Sequence, residues 1–300
     1  VTQLLVDDFF MKNGKMPILG YNNSGNTQTV DINPESAYSE TGYSTEDDVR
    51  ATNWHYAVAG SKASGDSHVV APKNTFNMYC NREPRFYISV VYNEQYHWGK
   101  GKTTNFFFNG EDGQPSHDNP SAGYLIRKHV DPTFVHSTNT GTYKSRQGIL
   151  YRLAEAYLSY AESALEYSMA KGTYDVDKAD IVKYINKIRE RAGIPQYGTS
   201  GLEIPTDPKE MRKLIRRERR VEMNCEGGLR WFDLRRWKEA EDVLDGNFYG
   251  MNMLAEKGNR DEFYKRVRYQ TRKFKSYWWP IPQNEIDKNP NLKQMPGWMN

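Results

Sequence analysis

Hydrophobic and polar positions change rhythm near residue 145. Beyond it, Leu150, Leu153, Ala154, Tyr157, Leu158, Ala161, Ala164 and Leu165 recur at steps of three and four, the stripe of an amphipathic helix starting at about Ile149. Ile181, Val182, Ile185, Ile188 and Ala192 give a second stripe, so the two helices should form a hairpin. Gly193 and Pro195 stop the second helix, because glycine tolerates the left-handed terminus and proline cannot extend a helix. A third helix opens with Asp207 as N-cap, Pro208 at the first helical position and Glu210 placed for a capping-box-like arrangement. Its inward stripe reads Met211, Leu214, Ile215, Glu218, Val221, Glu222 and Cys225, and after Gly227-Gly228 a fourth helix is expected from about Leu229 to Leu244.

Residues 1–145 lack long helical periodicity. Turn signals such as Asn13-Gly14, Asn22-Asn23-Ser24-Gly25, Asn109-Gly110 and Asp118-Asn119-Pro120 break them up, and the runs Phe86 to Tyr92 and Phe106 to Phe108 read as short strands. The expectation is a loop-rich region over 1–145 draped on a helical region over 146–300. The tail of the latter, a basic strand-like stretch from Lys265 to Lys275 and then Trp278-Trp279-Pro280-Ile281-Pro282, should wrap the helices.

Composition narrows the function classes. Lysine and arginine number 41 against 38 acidic residues, too near balance to indicate nucleic acid or an anionic membrane surface. Cys80 and Cys225, the only two cysteines, make neither a disulfide framework nor a metal cluster. The histidines show no metal-ligand spacing, so no metal or other cofactor is expected. No run of 18 apolar residues exists, and the opening has no secretory pattern; its start in mid-pattern suggests a segment upstream.

Glu218 and Glu222 stand one helical turn apart, a spacing that could serve a glycosidase. The arginines around them in sequence, Arg216, Arg217, Arg219, Arg220, Arg230, Arg235 and Arg236, favour a structural ion-pair core instead; its expected members are Glu218, Glu222, Arg219, Arg230, Asp233 and Arg235. Gly99-Lys100-Gly101-Lys102-Thr103 resembles a phosphate loop only superficially, since no helix is expected to follow. The better lead is aromatic. Trp54 and Tyr56, and Tyr96 and Trp98, set flat apolar faces beside hydrogen-bonding groups, suited to a sugar ring or a peptide without a nucleophile. Large aromatics are also highly buried on average, so pinning loops onto the core competes with that role.

Several stretches carry a resemblance. They are the opening Thr2 to Gly14; Arg82-Glu83-Pro84-Arg85-Phe86-Tyr87; Arg152 to Leu158 with Ala161-Glu162; Ile185 to Gly193; and Glu218-Arg219-Arg220-Val221-Glu222 followed by Glu226-Gly227 and Arg230 to Trp237. The ending Pro280-Ile281-Pro282, Glu285-Ile286, Asn289-Pro290 and Pro296-Gly297 completes the set. In this order they resemble the C-terminal half of the RagB/SusD family of outer-membrane nutrient-binding lipoproteins. Two departures are a longer step from Gly227 to Arg230 and Met295 in place of the family's frequent asparagine.

The resemblance implies a mainly α, SusD-like fold of tetratricopeptide-like helical pairs with an overlying loop-rich region bearing short strands. This chain would be the C-terminal part of one such domain, with upstream helical repeats and the lipoprotein signal outside it. The resemblance further implies a protein at the cell surface of a Gram-negative bacterium, held to the outer membrane only by an N-terminal lipid anchor not present here. It would sit on a TonB-dependent, SusC-like transporter barrel and deliver captured oligosaccharides, or in some members peptides. Trp54, Tyr56, Tyr96 and Trp98 are the expected ligand contacts, with no covalent chemistry. The readings set against this are a glycoside hydrolase using Glu218 and Glu222, and a purely structural partner of the transporter.

Overall fold

A computed structural model describes residues 1–51, 62–64, 67–97, 102–130 and 148–298. In chain order its first part contains helix α1 (Gln3–Asp8), strands β1 (Ile18–Ser24), β2 (Thr27–Ile32), β3 (Asp48–Ala51), β4 (Lys62–Ser64) and β5 (Ser67–Ala71), helix α2 (Pro84–Ser89), and the short strands β6 (Val90–Val91), β7 (Tyr96–His97), β8 (Lys102–Thr103) and β9 (Leu125–Ile126). Helices α3 (Leu153–Lys171), α4 (Tyr174–Ala192), α5 (Pro208–Glu222), α6 (Leu229–Trp237) and α7 (Ala240–Leu244) follow, then β10 (Gly246–Met251), α8 (Arg260–Phe263), β11 (Arg266–Arg272) and α9 (Gln283–Lys288).

The helical hairpin forms because both stripes are complementary. Ala161 and Leu165 of α3, Ile181, Val182 and Ile185 of α4, and Met211 and Ile215 of α5 share one buried cluster. Gly193 ends α4 in the left-handed conformation at φ 71°, with its N–H bonded back to Glu190. Helix α3 starts later than its apolar pattern suggests. Arg152 is extended at φ −140°, and Leu150 and Leu153 lie outward, because the Arg152 side chain is drawn into ion pairs with Glu222 and Glu226. The Asp207 cap forms, its carboxylate accepting from the Lys209 N–H at 2.8 Å, but the reciprocal half of a capping box does not, since Glu210 pairs with Lys213. The expected fourth helix is two. Lys238 at φ 60° breaks it, and the chain turns before α7.

The loop-rich region holds more order than its sequence shows. It is not merely draped on the helices: Val6, Phe9 and Phe10 join Tyr79, Phe86, Tyr87, Tyr92, Phe106, Phe107 and Tyr124 in a large aromatic core that also receives Ala192, Val221 and Phe263. Within it Tyr79 and Tyr92 stack at 4.3 Å, and Phe76 and Tyr264 at 4.0 Å. The run expected as a strand from Phe86 is helix α2, with Pro84 in its first turn and Val90 and Val91 alone in a strand. Arg85, Phe86 and Tyr87 are buried in succession, which an alternating strand cannot achieve and a helical turn wedged between two layers can. A four-stranded sheet in the order β1-β2-β11-β10 joins the N-terminal hairpin to the C-terminal one; Arg266 at the start of β11 anchors it by a bidentate pair to Asp7 of α1, both contacts 2.7 Å and both residues buried. Among the described residues no helix is long and apolar enough to cross a membrane.

Candidate functional site

Two places gather polar chemistry. The first is interior. The helical register of α5 puts Glu218 and Glu222 on one face, and helix α2 delivers Arg85 between them: its guanidinium lies 2.6 Å from Glu83, 2.6 Å from Glu218 and 3.1 Å from Glu222. Arg189 of α4 closes Glu218 from the other side at 3.2 Å and also donates to the carbonyl of Gly14, where φ is +80° and a Cβ would stand 2.6 Å from the same guanidinium. Glu222 is further held by Arg152 at 2.5 Å and Arg191 at 2.6 Å. Burial alone would raise its carboxyl, but Arg85, Arg152 and Arg191 outweigh that and hold it down at about 2. For Glu83 the balance is reversed, and burial pushes it upward against Arg85.

The neighbouring arginines in sequence are not the partners of Glu218 and Glu222. Residues one or two apart on a helix diverge, so Arg220 reaches Asp8, Arg216 reaches Glu239 and Arg219 reaches Asp233 at 2.7 Å. Arg219 and Asp233 thus form a separate pair from the glutamate cluster. Arg235 belongs to no carboxylate network among the described residues; it donates to the carbonyls of Ser276 and Tyr277 and ties the tail to α6. Arg230 makes no ion pair there either, and burial and the facing Arg220 push its guanidinium down to about 10. The residues missed from sequence are Arg85, Arg152, Arg189 and Arg191, all inside the stretches that carried the family resemblance.

This cluster is poorly suited to hydrolysis. A glycosidase acid must carry a proton near neutral pH, which Glu222, held near 2, does not, and Glu218 is fully buried, out of a substrate's reach. Glu222 does border a cleft of about 240 Å³, but that wall also carries Arg152, Arg191, Lys128 and Glu226.

The second place is a half-open polar cleft of about 570 Å³ on the loop-rich region, lined by Tyr43 to Val49, Asn77, Cys80, Asn81 and Lys12. Its floor is rigid. Asp48 is clamped by Arg50 at 2.6 Å, Asp47 accepts from the Lys73 N–H at 2.5 Å, and the Asn77 amide donates to the Thr41 carbonyl at 2.7 Å. Tyr43 is held by its hydroxyl to Asp261 at 2.7 Å and by Arg260 lying 4.1 Å over its ring; burial and the Asp261 contact push its phenol upward. Burial likewise pushes the Cys80 thiol up to about 11, which leaves it an unreactive wall. Amides, hydroxyls and carboxylates beside one ring can hydrogen-bond a polyol, and no nucleophile–base pair accompanies them among the described lining residues.

Of the expected ligand contacts, Trp54, Tyr56 and Trp98 lie outside the described residues. Tyr96 is half-buried in β7, paired with Thr103 of β8. Its strand follows Glu94, which holds Arg260 at 2.7 Å, the same arginine that covers Tyr43. Strand β3 contributes Asp48 and Val49 to the lining of the cleft. Nothing in the sequence marked the cleft, because its walls come from separate turns.

Comparison with known proteins agrees with this architecture. The family model described as the SusD family matches residues 1–298. SusD-like protein P2 of Formosa agariphila is 30% identical over 156 residues, which are 51% of this chain and 26% of that relative. Among solved structures, selenomethionine BT4246 is similar with a TM-score of 0.68 at 26% identity, covering 99% of this chain and 46% of its own. A SusD-like protein of Bacteroides fragilis, BF3747, has a TM-score of 0.63 at 26% identity, with 98% and 46% covered. The chain therefore spans about a quarter of the curated relative and just under half of these solved structures.

Proposed function

Because the chain belongs to the SusD family, we propose that it captures oligosaccharide nutrients at the outer-membrane surface of a Gram-negative cell and passes them, chemically unchanged, to a TonB-dependent, SusC-like transporter. The observation that carries this reading is the polar cleft beside Tyr43, whose amides, hydroxyls and carboxylates border an aromatic ring. Amides and carboxylates that exchange hydrogen bonds with sugar hydroxyls, beside an aromatic ring that can meet a sugar face, suit recognition of a glycan. A SusD-like protein of Bacteroides fragilis described as carbohydrate binding shares the fold, with a TM-score of 0.59 at 20% identity. Trp54, Tyr56, Tyr96 and Trp98 are the proposed ring contacts, and Glu218 and Glu222 act only as architecture.

Isothermal titration of the full-length protein with matched panels of oligosaccharides and peptides tests this. The expected outcome is micromolar oligosaccharide binding, about 8 kcal/mol, weakened severalfold by Trp54→Ala with the far-ultraviolet circular dichroism unchanged. Binding of peptides alone would replace the glycan reading, and turnover of the sugar would return Glu218 and Glu222 to a catalytic role.

A further inference from the structure

A third cavity belongs to the C-terminal part of the chain. It is a groove of about 450 Å³ between α6, the end of β11 and the tail, walled by Trp231, Trp278, Trp279 and Trp298. Trp278 and Trp279 are 58% and 63% exposed, so packing within this chain leaves much of each side chain uncovered. The platform is fixed from beneath. Arg235 lies 5.1 Å from the Trp231 ring centre and 4.9 Å from that of Trp279 while it holds the tail carbonyls, and the Trp298 indole N–H donates to the Trp278 carbonyl at 2.7 Å.

The charge around this platform has one sign. Arg235, Arg272, Lys273 and Lys275 line the groove, and no carboxylate does among the described residues. Of these cations only Lys273 has a carboxylate partner within 4.0 Å there, Asp245 at 3.0 Å; Lys275 rests 4.3 Å over the Trp298 ring, and Arg272 bonds the neutral Gln270. The cleft beside Tyr43 has the contrary balance, with Glu46 and Asp47 against Lys12 and with Asp48 paired to Arg50. A chain of nearly balanced net charge thus separates its charges between two cavities.

We infer that the tryptophan groove is a second ligand site, one for sugars that carry a carboxylate, with the ring stacked on Trp278 and Trp279 and the anionic group held by Lys275 and Arg272. This rests on the carbohydrate-binding reading and adds to it a charge class and a place. Stacking supplies the sequence-tolerant apolar contact and the unpaired cations select the anion, while the acidic cleft repels the same ligand.

The test uses the full-length protein, an oligogalacturonate and a neutral oligosaccharide of equal length. Trp279→Ala and Lys275→Gln are each expected to weaken oligogalacturonate binding about five- to tenfold. Raised salt should weaken it further, and neutral-sugar binding should not change. Trp279→Phe, which keeps a ring, should retain most of the affinity and guards against a folding defect. Neutral-sugar binding without oligogalacturonate binding overturns the groove assignment and leaves the proposed function standing. Oligogalacturonate binding indifferent to both variants also overturns the assignment. Equal binding of poly-glutamate or of a single-stranded oligonucleotide overturns the sugar class, and absence of any glycan binding removes both proposals together.

Discussion

Replacing Arg85 with methionine isolates what the interior ion cluster does. The guanidinium meets Glu83, Glu218 and Glu222, and it is 6% exposed. In Arg85→Met, Glu218 keeps Arg189 and Glu222 keeps Arg152 and Arg191, but among the described residues the Glu83 carboxylate keeps only the Phe10 N–H at 2.8 Å. One buried carboxylate is stranded and two others lose a shared countercharge. Breaking a buried pair from one side costs about 3–5 kcal/mol, a large part of the roughly 5–15 kcal/mol that holds a folded protein together. Urea titration at pH 7 should show the midpoint falling by about 1–2.5 M, given a slope of about 2–3 kcal/mol per M.

The pH dependence gives a second, qualitative readout. In the parent, Glu222 titrates near 2 when folded, below its unfolded range. Its contribution, about 3 kcal/mol, is fully present above about pH 5 and is lost as the pH falls toward 2. In Arg85→Met, Glu83 loses the countercharge that opposes its upward push, so the folded state binds its proton more tightly than the unfolded state does. The variant should therefore gain stability relative to the parent as the pH is lowered from 7. A loss under about 1 kcal/mol at pH 7, or pH profiles that run parallel, would refute the idea that these carboxylates are ionised architecture.

Two further outcomes follow from local geometry. Asp207→Ala removes the acceptor of the Lys209 N–H at the start of α5 and should cost about 1 kcal/mol, read by thermal or urea unfolding, while Glu210→Ala should cost clearly less because Glu210 does not reach back to the cap. Arg235→Gln removes the charged donor of the Ser276 and Tyr277 carbonyls, so limited proteolysis should cut the tail faster after residue 275; unchanged cutting would mean that the tail is held by its own packing.

The sequence alone determined the helical hairpin, the capped start of α5 and the glycine stop after α4, because these depend on neighbours three or four residues away and on backbone freedom at single positions. It also indicated that Glu218 and Glu222 share a face. Which cations meet them was decided in three dimensions: Arg85 comes from 133 residues earlier, while the adjacent arginines turn to other faces of the same helix. The sheet that pairs Thr27 with Val267, the helical turn at Arg85 to Tyr87, and both cavities likewise draw on segments far apart in the chain. Periodicity records which side of an element is buried, whereas the identity of what it is buried against is a long-range property that no local pattern carries.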